Sequence, residues 1–170
     1  MVKKLDDEKK LAIIEAELMD ATQVIVDIYS RYLFESKVIE VRHDHGMSVK
    51  EMKEAMLDAQ KQAYGDGLDQ NTLHPYMWAC KSHYYIPELA FYNWPYAFGL
   101  LFGKCIFEVY KKSSDGFVEK YKKLLAATGS NDVYDVAMMM DVDLTKKETW
   151  KQALNGLVEK VDEFCELIKK

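Results

Sequence analysis

Apolar positions recur along this chain at helical spacing, and no segment alternates cleanly enough to read as a strand. Leu11, Ile14, Leu18, Val24, Ile25, Ile28 and Leu33 roughly follow one helical stripe, and no Gly or Pro precedes Gly46. This pattern predicts one long first helix over about 6–42, closed by the loop His43-Asp44-His45-Gly46. Ser48 and Glu51 stand at capping-box spacing and open a second helix to about Ala63, which Tyr64-Gly65-Asp66-Gly67 breaks. After Asp115-Gly116 a helix is expected to about Ala127, then a short one from Asp132 to Met140. A further capping box, Thr145 to Glu148, opens a last helix to Leu167. Its expected buried stripe is Trp150, Leu154, Leu157, Val161, Phe164 and Leu167. The fold class is all-α, a multi-helix bundle, and the length suits a single helical domain over 1–170.

The stretch HPYMWACKSHYYIPELAFYNWPYAFGLLFG, His74 to Gly103, departs from this regularity. Pro75 can start a short helix, and Ile86-Pro87 disfavours helix across its joint. A helix follows from about Leu89 or Tyr96 to Lys112, with Pro95 either kinking it or marking its start. Of the 21 aromatic residues, 12 fall between Asn71 and Tyr110, a density that a core does not require. A buried tyrosine hydroxyl needs a partner, so the cluster suggests a surface that handles polar ligand groups. Tyr92 and Tyr96 are four apart and share a helix face if one helix includes both. His83 precedes Tyr92 by nine residues, with a proline turn between. That spacing can bring an imidazole and two phenols to one cleft; the competing reading is an aromatic packing face. A phenol with its usual pKa of about 10 stays protonated at neutral pH and can donate to a carbonyl that is becoming an oxyanion.

Charge and cysteine usage narrow the classes. The net charge is −5, and lysines alternate with acids along the helices, which argues against a nucleic-acid partner. The opening MVKKLDDEKK is too charged for a secretory signal, and the most apolar run, around Trp94 to Gly103, is short of a membrane span. A cytoplasmic chain with no membrane partner is expected. Cys80, Cys105 and Cys165 form no C-x-x-C pair and read as reduced thiols that serve as small core hydrophobes. No histidine opens a His-Glu-x-x-His motif, and His43 and His45 read as part of a solvated loop rather than a metal site. Cys80 and His83 are three apart, but nothing marks the orienting group a nucleophilic pair needs. Met138, Met139 and Met140 read as core filler rather than as ligands of a haem or redox bundle.

Several segments carry a resemblance to a known family: YSRYLFES, AQKQAYGDGLD, the whole HPYMW…LLFG block, GFVEKYKKLLAATGSNDVYDVA and DLTKKETW. From about Leu11 onward the chain resembles the carboxy-terminal part of oligoendopeptidase F, of the thimet-oligopeptidase-like zinc metallopeptidases. The resemblance implies a mostly helical, zincin-type catalytic domain around a deep channel for short peptides. It places zinc on a His-Glu-x-x-His helix and a later glutamate, upstream of the matched part. It assigns His83, Tyr92 and Tyr96 to holding the peptide and stabilising the tetrahedral intermediate, with His74 lining the same cleft. With that zinc motif absent from its sequence, the chain is expected to be a substrate-binding lobe, without a cofactor of its own and inactive alone. Zinc belongs to the full-length family. Expected partners are oligopeptides, the missing metal-binding lobe and a second copy of the chain, paired two-fold through an exposed cleft face. The alternative is a stand-alone helical module that binds peptides or other proteins on a scaffold taken from the peptidase.

Overall fold

A computed structural model describes residues Asp6 to Lys169, and among them every regular element is helical. The backbone winds without a break from Asp7 to Val41, close to the single helix the pattern predicts. It is not α throughout. Helix α1 (Asp7–Thr22) passes through a π segment (Gln23–Asp27) into α2 (Ile28–Val41). The π segment contains Val24-Ile25-Val26, and three successive β-branched side chains are stiff at χ1 and crowd a tight α turn. The wider turn also explains why the apolar stripe is only roughly periodic there.

Helix α3 (Val49–Tyr64) starts on the expected capping box. The Ser48 hydroxyl accepts from the Glu51 N–H at 3.3 Å, and the Ser48 N–H donates to Glu51 Oε2 at 2.8 Å. Gly65, at φ 55°, ends the helix in a conformation that side chains disfavour. Three short 3₁₀ turns follow, Met77–Cys80, Ser82–Tyr85 and Pro87–Leu89. Helix α4 (Trp94–Lys112) then begins with Pro95 in its first turn, where the missing N–H costs no intrahelical bond. The remaining helices are α5 (Phe117–Ala127), α6 (Val133–Met138) and α7 (Lys147–Ile168).

Two expectations about α7 are corrected. Thr145 does not cap it; its hydroxyl donates to Asp143 Oδ1 at 2.6 Å, and Asp143 Oδ1 also accepts the Thr145 N–H. The aspartate two residues upstream competes successfully for the threonine. Nor is the buried stripe the predicted one. Leu154 and Val161 are exposed, while Ala153 and Leu157 are buried, with Trp150, Phe164 and Leu167 flanking them. Reading only large apolar residues overlooked the alanine that α7 contributes to the core.

The chain divides into two compact units. One holds the described residues up to Leu18 together with those from Gly99 onward; the other is Met19–Phe98. The first has its core in Cys105, Ile106, Leu124, Val136, Ala137, Met140, Val142 and Ala153, with Leu101 and Trp150 packed around them. The second is built on Phe34, Met56 and Ala59, against which Met52, Trp78 and Tyr84 pack. Among the described residues no helix is long and apolar enough to cross a membrane.

Met140 is wholly buried, so Met140→Ala is expected to cost about 2–5 kcal/mol in urea unfolding. Val118→Ala, at an exposed site, should stay within about 0.5 kcal/mol; equal losses would mean that the core is wrongly placed. The α3 cap gives a pH test. The Ser48 N–H first, then His45 and the Ser48 hydroxyl, hold the Glu51 carboxyl at about 2 instead of 4.5. A depressed carboxyl stabilises the fold above its ordinary value and loses that contribution as pH falls from about 4.5 towards about 2. Glu51→Gln should flatten the urea midpoint across that window, and an unchanged pH slope would refute the role of the cap.

Candidate functional site

The site lies in the unit Met19–Phe98 and rests on one face of the helix that carries Asp27, Arg31 and Glu35, spaced four residues apart. The Arg31 guanidinium pairs with Asp27. Asp27 Oδ1 also accepts the Tyr64 hydroxyl at 3.1 Å, and the Arg31 carbonyl accepts the Tyr84 hydroxyl at 3.2 Å. Burial, then the nearby Asp27 charge, pushes the Tyr64 phenol up to about 12. Burial, then the Glu35 charge, pushes Tyr84 up as well. Both phenols therefore remain protonated donors across the neutral range.

Glu35 is buried and reaches the segment that carries the candidate tyrosines. Its Oε1 accepts the Phe91 N–H at 2.6 Å, and its Oε2 accepts from Asn93 Nδ2 at 3.3 Å. Phe91 sits at φ 54°, a left-handed conformation that costs a non-glycine residue on the order of 1–3 kcal/mol. A charge-assisted bond to its N–H offsets that cost. Asn93, just 2% exposed, anchors the other side of Tyr92. Tyr92 is thus held between two residues fixed by one carboxylate, immediately before α4.

The result is a cluster of three rings. His83, from the Ser82–Tyr85 turn, stacks on Tyr92 with ring centroids 5.3 Å apart and planes 28° from parallel. Tyr96, in the first turn of α4, meets the His83 ring at 6.2 Å and the Tyr92 ring at 6.1 Å, both edge-on. Tyr92 precedes the helix rather than lying on it, yet the two phenols still meet. Both remain about two-fifths exposed (41% and 44%). Among the described residues neither hydroxyl is engaged by a protein group, so both are free to donate to a ligand. His74 lies outside this cluster. Gln60 clamps its backbone with bonds of 3.0 and 3.2 Å, its Nδ1 accepts the Tyr76 N–H, and its ring packs with Tyr76.

A cavity of about 210 Å³ opens beside the rings. The second half of α2 (Phe34, Val38) and Arg42 just past its end form one wall, and Trp78, His83 and Ile86 form part of the other. The remaining candidate chemistry is accounted for elsewhere. The Cys80 thiol donates to the Met77 carbonyl, and His45 Nε2 contacts Glu51 Oε1 at 2.8 Å. Among the described residues no three His, Cys, Asp or Glu side chains come together as a metal cage would require. Glu35 and Asn93 escaped the reading of the sequence. For Glu35 the one available signal was a polar residue every fourth position along the helix; Asn93, in the turn before α4, carried none.

Comparison with known proteins agrees with the resemblance at a coarse level. Over 122 residues the chain is 30% identical to an oligoendopeptidase F homolog of Borreliella burgdorferi. The match takes in 71% of this chain and 20% of that protein, so the chain spans about a fifth of its relative's length. No protein-family profile matches the chain, and no solved structure matches it. The all-helical fold fits a relationship to peptidases of this kind.

Glu35→Ala leaves the Phe91 N–H and the Asn93 amide without their acceptor, with an expected loss of about 2–4 kcal/mol. It should also release the Tyr92 ring from His83, seen by NMR as loss of the ring-current shift on the His83 imidazole protons. A His83 signal unmoved in a folded Glu35→Ala variant would show that the carboxylate does not position the rings.

Proposed function

We propose that this chain forms the peptide-binding wall of an oligoendopeptidase F-like zinc metallopeptidase. The observation that carries this reading is the convergence of His83, Tyr92 and Tyr96 into one ring cluster with two unengaged phenols. The three residues are distant enough in sequence that no single helix turn would gather them. In this reading Tyr92 and Tyr96 donate hydrogen bonds to the carbonyl of a bound oligopeptide, most strongly as that oxygen gains negative charge. His83 orients the peptide through its ring nitrogens. His74 serves the same surface farther out, binding peptide rather than reacting atoms.

Zinc, when bound in a peptidase of this kind, supplies the Lewis acid and the activated water. The residues of this chain do not fit that metal. Its sequence has no His-Glu-x-x-His, and the described residues offer no cage of three ligands. The chain is accordingly read as non-catalytic by itself, with a metal-bearing lobe as its functional partner. Exposed Phe107, Tyr110, Val118 and Leu125, on α4 and α5, give apolar surface suited to such a partner or to a second copy.

The test is a peptidase assay paired with a binding titration on the purified chain. We expect no chelator-sensitive cleavage, measurable binding of short peptides, and several-fold weaker binding for Tyr92→Phe and Tyr96→Phe, each of which removes one donor. Cleavage abolished by a chelator would overturn the non-catalytic reading. Undiminished binding by the two Phe variants would overturn the role given to the phenols.

A further inference from the structure

The cavity beside the rings combines three properties that together describe a ligand. Its walls are predominantly apolar, with Phe34, Val38, Met52, Trp78 and Ile86 among them. Its volume, about 210 Å³, suits one large side chain. Its lining also holds one exposed cation, Arg42, at the carboxyl end of α2. Among the described residues Arg42 pairs with no carboxylate, whereas Arg31, earlier on α2, is committed to Asp27. The lining carboxylate, Glu35, is already met by the Phe91 N–H and the Asn93 amide and does not call for a ligand cation. His83 belongs to both the cavity and the ring cluster, so an occupant of one lies next to the other.

We infer that this cavity is a specificity subsite for a large apolar side chain next to a carboxylate, with Arg42 as the carboxylate's partner. The inference rests on the peptide-binding reading and adds the class of peptide. An arginine fork matches a carboxylate in a bidentate fashion and is stronger for it than a point charge. The apolar walls favour an aromatic or long aliphatic side chain by the area it removes from water. Two sources could provide this pairing: the free C-terminus of a peptide ending in an apolar residue, or an acidic residue next to an apolar one within a peptide.

Titration calorimetry on the whole chain decides it, using four acetylated peptides. Acetyl-Gly-Gly-Phe has a free C-terminus, and its amide lacks one. Acetyl-Gly-Gly-Ala has the carboxylate without the ring. Acetyl-Gly-Phe-Asp-amide moves the carboxylate to a side chain. The Phe acid should bind about ten-fold or more tightly than the Ala acid and the Phe amide. Tight binding of the Asp peptide as well would make the internal acid a second source; its absence would restrict the site to C-termini. Arg42→Gln, at an exposed position, should abolish the preference for acid over amide and leave that for Phe over Ala. Val38→Phe should do the reverse by filling the cavity, with circular dichroism melting confirming that both variants fold. If all peptides bind alike, or if Arg42→Gln leaves the acid preference intact, the subsite is refuted while the peptide-binding wall stands. If none binds, the wall and the subsite fall together.

Discussion

One buried carboxylate organises the candidate site. Glu35 leaves α2 to accept the Phe91 N–H and the Asn93 amide, so it fixes both neighbours of Tyr92 at once. Burying an anion is costly unless donors surround it. Here the donors belong to a turn that would otherwise relax, because Phe91 holds a left-handed conformation. Each difficulty compensates the other, and the position of Tyr92 follows from their combination. The His83 and Tyr96 rings then close on Tyr92.

The same helix face supports this arrangement further back. Asp27, Arg31 and Glu35 alternate in sign, and the first two order Tyr64 and Tyr84 through hydrogen bonds. Tyr84 also packs edge-on against Phe34, which stacks with Trp78. An apolar core and a polar ladder therefore share one helix, and the cavity lies where they meet. The site therefore has a buried, hydrogen-bonded floor and exposed phenol tips, a form suited to the peptide-binding role proposed for it.

Helical periodicity made most of the fold legible. Ser48 and Glu51 announced α3, and Gly65 ended it because only a residue without Cβ is comfortable at φ 55°. Pro95 marked the start of α4 rather than a kink. What the sequence concealed depended on competition and on size. Asp143 captured Thr145, and Ala153 took the place in the core that Leu154 and Val161 had seemed to claim. The ring cluster was legible in part: His83, Tyr92 and Tyr96 meet, although Tyr92 lies ahead of the helix. Glu35 was not legible, because a lone glutamate on a helix is nearly always solvated, and only the three-dimensional turn shows what it accepts.

The π segment at Gln23–Asp27 has a consequence for how this chain can vary. A π turn holds one residue more than an α turn, so it shifts the angular phase of every later side chain by about 100°. Arg31 and Glu35 owe their direction, relative to residues 19–22 of the same unit, to that single surplus position. Rewinding the segment as an ordinary α coil at the same length would preserve every amino acid of the ladder yet aim Arg31 and Glu35 elsewhere, whereas loss of one residue would absorb the surplus and leave their direction as it is. Loss of the surplus residue is thus the milder form of change here, and a substitution that straightens the π turn without shortening it is the severe one.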